Sequence, residues 1–502
     1  MGIVTKQSIN NTITTYIGFV LGALNVLFLY TYFLSDQYHG LLAFIISTAT
    51  IMLPFISIGT HNAIIKFYSS YKINTEKESF LSVMLVIPLF SIVILTSIGI
   101  TSMDVIKIIL PDNNYLNDIN IWVIIITAFS FAYFEVFYSL VKIKLISVFG
   151  NFLKEIFHRV LILFLLLFIH YGFLDQQQFI FSVLAVYILR TLIMMIYAFK
   201  HNSFRFKFII PDNFREIVKY LLIICLAGAV ANIVLEIDKF MIAKYLDISK
   251  VAYYAVAVYI CSLITVPRRS LFQIANPLSS KLLNDKNYID LGILYQKSSL
   301  NLLIVCGLVF LLITFSLSDF YSFIPESYKE AYYIVLIISF TKLYNAFLGN
   351  IDGIIFNSKY YNFIVFTGVL LIFLTIYLNY KLIPLYGIEG AAISSLIAIC
   401  LYNTIKVYYV YLKFKLQPIT VNTFKVILLI LFGFIVSLAF NLETYKITGF
   451  IGSLTTSLKP DFHPAINIIL KSSIVSIIYI FIVVFFKFST DINNYIDKFL
   501  GK

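Results

Sequence analysis

Charged residues are scarce in this sequence, since Asp, Glu, Lys and Arg together make up only 12% of its 502 residues. A soluble globular domain carries about twice that fraction, about 25%. Hydrophobic residues make up 60% of the chain, and its mean hydropathy is +0.93. These values exclude a water-soluble domain and place the chain in a lipid bilayer.

Cysteine is also rare, with four residues in the whole chain. Cys225, Cys261, Cys306 and Cys400 all lie within apolar segments and not in loops predicted to face outward. A thiol in such a segment behaves as a small hydrophobic group. The sequence therefore predicts neither a disulfide framework nor a metal cluster.

Long hydrophilic segments are missing as well. The longest predicted loops, residues 200–219, 282–299 and 441–464, leave no room for a separate soluble domain. A membrane-embedded polymerase or glycosyltransferase typically holds its catalytic groups in a sizeable outward loop, and loop 441–464 offers only three. These are Glu443, Asp461 and His463. An enzyme is therefore the less favoured hypothesis.

Apolar runs long enough to cross a bilayer recur along the whole chain. Residues 80–100 carry no charge, and at about 1.5 Å per residue they span a hydrocarbon core of about 30 Å. The first run is longer than a signal-peptide core and lacks a cleavage site, so we interpret it as a span. Hydropathy predicts fourteen spans, at residues 9–34, 41–58, 80–100, 119–141, 160–173, 179–199, 220–243, 251–274, 300–317, 331–349, 363–382, 387–411, 426–440 and 466–486.

The formal charge of +12 follows membrane topology and does not indicate nucleic-acid binding. With an even number of spans both termini share a side, and the loops on that side hold most of the Lys and Arg residues. The positive-inside rule therefore predicts that both termini are cytoplasmic. The early loops on this side contain Lys66, Lys72, Lys77, Lys142, Lys144, Lys154, Arg159, Lys200, Arg205, Lys207, Arg215 and Lys219.

A weak internal repeat relates the first two spans to the seventh and eighth. One copy reads YFLSD at residues 32–36 before a span that reaches Pro54, and the other reads KYLDI at residues 244–248 before a span that reaches Pro267. Copies six spans apart enter the membrane in the same sense, which predicts parallel halves with the substrate path between them. The predicted domains are an N-terminal lobe at residues 1–210, a C-terminal lobe at 211–418 and two accessory helices within 419–502.

Two basic residues lie near the middle of the predicted spans. Arg190 and Lys342 are each about eleven residues from the outer end of a span, about 16 Å deep. A charge within a span costs a few kcal/mol and is by default functional. In a cavity, Arg190 would bind a pyrophosphate by bidentate hydrogen bonds and Lys342 as a point charge. The alternative is that either residue pairs with a buried carboxylate such as Glu135 and only fixes helix packing.

Three further basic residues are candidates for substrate binding. Arg268 and Arg269 follow Pro267 in the cytoplasmic third of the eighth span, where a proline kink would suit a helix that bends during gating. The alternative is that both side chains snorkel to the interface, although two adjacent side chains cannot share one helix face. Lys66 lies at the repeat-equivalent position, and its alternative role is that of an interfacial anchor.

Two acidic residues, Asp238 and Glu135, are candidates for ion coupling or gating. A carboxylate in a low-dielectric cavity has a pKa that burial raises and neighbouring cations lower, so its protonation can change during transport. Close to Asp238, the i, i+3 spacing of Glu236 and Lys239 predicts a local ion pair.

Several segments resemble a known family. Residues 380–395 read YKLIPLYGIEGAAISS, residues 232–246 read NIVLEIDKFMIAKYL, and the chain opens with TKQSINNTITTYIGF at residues 5–19. In their order they resemble the polysaccharide-biosynthesis flippases of the multidrug/oligosaccharidyl-lipid/polysaccharide (MOP) exporter superfamily. The resemblance implies an all-α polytopic membrane protein with about 14 transmembrane helices, in which two parallel six-helix lobes surround a V-shaped, MATE-like central cavity, plus two C-terminal helices. Asp238 matches an acidic position of that family's seventh span.

The resemblance also implies a function. It implies that the protein moves undecaprenyl-pyrophosphate-linked oligosaccharide from the inner to the outer leaflet of the bacterial cytoplasmic membrane by alternating access. Membrane lipids and other membrane proteins of polysaccharide assembly are the expected partners, no cofactor is expected, and membrane potential, protons and sodium ions are all candidate energy sources. A multidrug exporter of the same superfamily is the alternative. Its cationic substrates would favour a carboxylate-rich cavity, whereas basic residues outnumber acidic ones inside the predicted spans.

Overall fold

The computed structural model describes residues 2–101, 121–202, 205–207, 209–360, 362–442 and 464–499, and within these ranges its regular secondary structure is helical. Each of the fourteen predicted spans overlaps a helix, although the helices at residues 147–170, 249–284 and 288–320 extend well beyond the predicted bounds. Ile119 and Asn120 lie outside the described residues. The predicted all-α polytopic fold is therefore confirmed. The catalytic groups considered for loop 441–464, Glu443, Asp461 and His463, also lie outside the described residues.

The number of spanning helices depends on how broken helices are counted. Eleven helices in the described residues are long and apolar enough to cross a membrane. One of them, Asn362–Phe414, carries two predicted spans because the chain bends at Gly387, where φ is 60°. Two more predicted spans lie on shorter helices, at residues 147–170 and Tyr332–Phe347. The helices therefore accommodate the fourteen spans that hydropathy predicts.

One compact unit comprises residues 1–255 and 379–387. Its core is a cluster of buried apolar side chains that includes Phe80, Met84, Phe134, Leu140 and Ala198. Its first and fifth spanning helices each contain one π-helical turn, at Leu24–Leu29 and Leu153–Phe157. Its other helices are Gly2–Ala23, Tyr30–Phe33, Asp36–Ser57, Thr60–Phe67, Asn74–Thr101, Trp122–Lys142, Ser147–Phe152, His158–His170, Gln176–His201 and Phe214–Tyr245.

A proline in the second spanning helix is compensated by the seventh. Pro54 lacks an N–H group, so the carbonyl of Thr50, four residues earlier, loses its helical donor. The side-chain amide of Asn232 donates to that carbonyl at 2.8 Å, and the Cys225 thiol donates to the Pro54 carbonyl at 3.3 Å. Neighbouring helices commonly satisfy freed backbone groups in this way inside membranes. These bonds fix Asp36–Ser57 against Phe214–Tyr245.

The other compact unit comprises residues 256–378 and 388–502. The eighth spanning helix changes from α to a 3₁₀ turn at Leu263–Thr265 and resumes as α-helix at Val266, with Pro267 in the first turn. A second break follows the tenth spanning helix at Gly349, where φ is 57° and a Cβ atom would lie 2.7 Å from the Ser298 hydroxyl. The helices are Ser249–Ser262, which begins in the first unit, and Val266–Asn284, Tyr288–Phe320, Tyr332–Phe347, Ile351–Phe356, Asn362–Phe414, Val421–Leu442, Pro464–Phe485 and Thr490–Phe499.

The last two spanning helices pack against the ninth, Tyr288–Phe320. A Cβ atom on Gly307 would lie 2.4 Å from the Ile430 side chain, so the thirteenth helix approaches closely only because this residue is glycine. From the fourteenth helix, the Tyr479 hydroxyl donates to the Ile304 carbonyl at 3.0 Å, and Lys471 forms an ion pair with Asp319 at 2.5 Å. The lobe boundaries predicted at residues 210 and 418 stay predictions.

Candidate functional site

Arg190 lies on the sixth spanning helix, Gln176–His201, and is only 7% exposed. Its guanidinium carbon lies 4.3 Å from the ring centroid of Phe134, 5.0 Å from that of Tyr187 and 5.5 Å from that of Phe131. Within the described residues its buried Nε donates no hydrogen bond. Ring faces stabilise a cation without neutralising it. The structure therefore holds a positive charge deep inside a spanning helix.

Glu135, the carboxylate considered as a partner of Arg190, pairs with other cations. One of its oxygens lies 2.5 Å from the Lys154 ammonium, and the other lies 4.0 Å from that of Lys142. The cavity role of Arg190 and Lys342, and the alternative that either fixes helix packing beside a buried carboxylate, both stay predictions. The role predicted for Glu135 in ion coupling stays a prediction.

Asp238 is buried on the seventh spanning helix and accepts hydrogen bonds on both carboxylate oxygens. The Tyr254 hydroxyl donates to one at 2.6 Å, and the Asn379 amide donates to the other at 2.8 Å. Both donors are uncharged, and such bonds orient a carboxylate without cancelling its charge. Two residues before Asp238, Glu236 forms the predicted ion pair with Lys239 at 2.7 Å, so that prediction is confirmed.

Arg268 belongs to a three-residue ion cluster in the second unit. Its guanidinium Nη2 lies 2.6 Å from one oxygen of Asp352, and the Lys406 ammonium lies 2.8 Å from the other. The Lys406 ammonium also lies 4.4 Å from the centroid of the Tyr402 ring. Because two cations share one carboxylate, the cluster carries a formal charge of +1.

Three helical segments bring this cluster together. Arg268 lies in the first turn of Val266–Asn284, which follows the 3₁₀ turn, and Asp352 lies in the first turn of the short helix Ile351–Phe356 after the break at Gly349. Lys406 lies in the second half of Asn362–Phe414. The residues on either side of the short helix, Asn350 and Asn357, also donate hydrogen bonds to the Arg268 helix. The Asn350 amide donates to the Ser279 hydroxyl at 2.6 Å and to the Ala275 carbonyl at 3.0 Å, and the Asn357 amide donates to the Asn276 side-chain oxygen at 2.7 Å.

The remaining predicted cations are more accessible. Arg269 is exposed while its neighbour Arg268 is bound to Asp352, as expected for adjacent side chains that cannot share a helix face. Lys66 is also exposed, and its ammonium lies 4.0 Å from the centroid of the Tyr220 ring. Lys342 is half-buried on the tenth spanning helix. Arg190, Lys66, Asp238 and Glu135 thus lie in the first unit, and Lys342, Arg268 and Arg269 in the second.

Sequence reasoning missed Asp352 and Lys406. Lys406 lies inside the predicted span 387–411, so the expectation that an intramembrane charge is functional applies to it as well. Asp352 lies between predicted spans and offered no such signal. In the part of the chain that the structure describes, no group of three or more His, Cys, Asp or Glu side chains is arranged to hold a metal ion.

Comparison with known proteins identifies related folds. The model of a family described as "Polysaccharide biosynthesis protein" matches residues 4–283. No curated protein is similar enough in sequence to count as a match.

Several solved structures are similar over most of their length. A structure of "Lipid II flippase MurJ, inward closed conformation" has a TM-score of 0.70 at 16% identity and covers 94% of this chain and 98% of its own. An inward-facing multidrug resistance MATE family transporter of the MOP superfamily has a TM-score of 0.62 at 11% identity, covering 82% and 98%. A mutant of the Vibrio cholerae MATE transporter VcmN has a TM-score of 0.54 at 14% identity, covering 82% and 98%. At these identities the likeness is one of fold.

Proposed function

We propose, from the premise that this chain belongs to the polysaccharide biosynthesis protein family, that it moves undecaprenyl-pyrophosphate-linked sugar repeat units across the cytoplasmic membrane. The direction proposed is from the inner to the outer leaflet, by alternating access. The similarity in fold to a lipid II flippase supports a lipid-linked cargo. Transport of this kind makes and breaks no covalent bond, so we expect no enzymatic activity.

Arg190 carries the proposal. A charge inside a spanning helix is costly and persists where it serves a pathway or a binding site. Here the cation is held by the faces of Phe131, Phe134 and Tyr187, and its buried Nε donates no hydrogen bond within the described residues. A pyrophosphate that has lost its hydration shell needs such a donor, and a guanidinium binds phosphate by parallel hydrogen bonds. This arrangement favours an anionic cargo.

The charge balance of the ion cluster supports the same cargo. Arg268 and Lys406 share the single carboxylate of Asp352 and leave a net positive charge. A cationic drug would be repelled by both Arg190 and this cluster, so the multidrug alternative is less favoured. Lys342, Arg269 and Lys66 are proposed as further cations along the pathway, and Asp238 and Glu135 as the groups that couple transport to protons or sodium ions.

The test uses cells whose only copy of the gene carries a substitution. Arg190→Ala and Lys342→Ala should each block delivery of the lipid-linked sugar to the outer leaflet, because each removes a cation proposed to bind the pyrophosphate. Lys471→Ala is the control, since it removes a cation from another spanning helix, one that forms an ion pair with Asp319 at 2.5 Å. Delivery is measured by the sugar accessible at the outer surface, with membrane levels of each variant followed by immunoblot.

The outcomes separate the candidate functions. Full delivery in both the Arg190→Ala and Lys342→Ala variants would contradict the proposal. Efflux of cationic dyes that depends on this protein would favour the multidrug alternative, and formation of glycosidic bonds by the purified protein would favour an enzyme.

A further inference from the structure

We propose that Arg268 and Lys406 form a phosphate-binding pair in which Asp352 is a resident competitor. In the structure its carboxylate occupies the position that an anionic phosphate group takes on binding. The identity of the natural cargo rests on the proposed function. The binding pair itself is argued from one cluster of side chains within the second unit.

The geometry is that of two cations held around one anion. Each oxygen of Asp352 accepts from a different cation, Arg268 at 2.6 Å and Lys406 at 2.8 Å. A phosphate group presents oxygens in the same bridging arrangement and brings at least one full negative charge. Because the cluster carries +1 with Asp352 in place, an incoming phosphate is attracted before the carboxylate leaves.

Arg268 has hydrogen-bonding capacity to spare. One nitrogen of its guanidinium binds Asp352, while its buried Nε donates no hydrogen bond within the described residues. An unbonded buried donor is costly unless another acceptor arrives. The fork of donors on a guanidinium matches two phosphate oxygens. A phosphate can therefore accept a hydrogen bond from Arg268 Nε, which does not bind Asp352.

The exposed fractions of the three side chains indicate the order in which an incoming anion would meet them. The side chain of Asp352 is 31% exposed and that of Arg268 is 19% exposed, whereas that of Lys406 is 3% exposed. An anion therefore meets Arg268 and the competing carboxylate first. Lys406 lies behind them, and in this low-dielectric position its charge acts strongly on whatever anion binds.

The exchange also has a mechanical consequence. Asp352 links the short helix Ile351–Phe356 to the helix that begins after the 3₁₀ turn, and both segments start directly after a break in a spanning helix. When phosphate replaces the carboxylate, the hydrogen bonds from Asn350 and Asn357 remain but the ion pair between the two segments is lost. Phosphate binding thus weakens the connection between two helices that each begin at a break.

The experiment measures binding of farnesyl pyrophosphate, a short polyprenyl pyrophosphate without sugar, to the full-length protein in detergent by isothermal titration calorimetry. Asp352→Asn removes the competitor and leaves both cations. We expect binding at least about tenfold tighter than wild type, because one unit charge beside a bound anion is worth more than a factor of ten at protein dielectric values. Asp319→Asn is the control, because it removes the carboxylate of the Lys471 ion pair and should leave the affinity unchanged.

A second variant covers the case in which Asp352→Asn fails to fold. Lys406→Met keeps Asp352 and removes one cation, so the formal charge of the cluster falls from +1 to 0. We expect it to bind farnesyl pyrophosphate at least about tenfold more weakly than wild type. Wild-type affinity in both variants would overturn the proposal.

The binding experiment tests the phosphate-binding pair separately from the proposed transport function. Suppose that wild type transports lipid-linked sugar but Asp352→Asn binds farnesyl pyrophosphate no more tightly than wild type does. The proposed role of Asp352 as a competitor is then wrong, and the flippase function stands. If Asp352→Asn binds more tightly but wild type transports no lipid-linked sugar, the phosphate-binding pair stands and the proposed function fails.

Discussion

Arg190 combines deep burial with three aromatic ring faces, and this combination allows its charge to be tested apart from its packing. A lysine at this position keeps the charge but loses the planar donor fork. A methionine fills the space between the rings, because its flexible thioether packs well against aromatic groups, but it carries no charge.

We predict that Arg190→Lys retains transport at about a tenth of the wild-type rate, whereas Arg190→Met abolishes it. Both variants should unfold within a few degrees of the wild-type temperature, since the ring cluster stays filled. Transport is measured in proteoliposomes and unfolding by size-exclusion chromatography after heating. A fully active Arg190→Met variant would show that the cation serves packing alone.

The carboxylate of Asp238 allows a second test at the residue scale. We predict that Asp238→Asn removes the response of transport to an imposed pH or sodium gradient, because the amide can neither bind a proton nor carry a negative charge. Tyr254→Phe is the matched control, since it deletes the 2.6 Å hydrogen bond but keeps the carboxylate, and it should still respond. A gradient response of normal size in Asp238→Asn would exclude Asp238 as the coupling group.

The candidate residues could be predicted from the sequence, but their partners could not. The cost of a charge within a span identifies Arg190, Asp238 and Glu135 from the hydropathy pattern alone. The partners of these charged residues are distant in sequence and meet only when the helices pack. In the ion cluster, Lys406 lies 54 residues from Asp352 and Arg268 lies 84 residues from it. No local spacing rule reaches across such separations, which is why the ion cluster was missed.

At the scale of helices, the bond between Asn232 and the Thr50 carbonyl is an interhelical link that a proline creates. Pro54 frees the carbonyl, and Asn232 satisfies it at 2.8 Å. The contribution of Asn232 to stability should therefore depend on the proline.

We predict that Asn232→Leu destabilises the protein by about 1 kcal/mol, because a carbonyl in a spanning helix is left without a donor. In a Pro54→Ala background the same substitution should cost less, since an alanine in place of the proline restores the helical N–H group. The double-mutant cycle is measured by chemical unfolding in detergent micelles. An equal cost in the two backgrounds would contradict this account of the hydrogen bond.

Helices were easier to predict than their interruptions. A run of apolar residues long enough to cross a bilayer has few other stable structures there, so each of the fourteen predicted spans overlaps a helix. The fifth helix occupies residues 147–170 while hydropathy predicted 160–173, because Lys154, Glu155 and Arg159 mask its beginning. Its π-helical turn at Leu153–Phe157 depends on packing that hydropathy does not contain.

At the scale of the whole molecule, the chain belongs to the polysaccharide biosynthesis protein family and shares its fold with transporters of the MOP superfamily. The family resemblance stated from the sequence is therefore confirmed. The orientation in the membrane stays a prediction from the distribution of Lys and Arg.

We predict that both termini face the cytoplasm and that loop 441–464 faces outward. Green fluorescent protein fused after residue 502 should fluoresce, since it folds in the cytoplasm, and alkaline phosphatase fused at the same point should be inactive. Alkaline phosphatase fused after residue 450 should be active, since it requires an oxidising compartment. The reverse pattern would place the basic loops outside and contradict the proposed direction of transport.

The central claim is that buried cations make this protein a carrier of lipid-linked sugar pyrophosphates. It is tested most directly in sealed liposomes that contain purified protein and a polyprenyl-pyrophosphate-linked oligosaccharide, by following the fraction of sugar that an external glycosidase can reach. Wild-type protein should make the protected inner pool accessible, whereas Arg190→Met and protein-free liposomes should leave it protected. An inner pool that stays protected with wild-type protein, or becomes accessible as quickly with Arg190→Met, would contradict the claim.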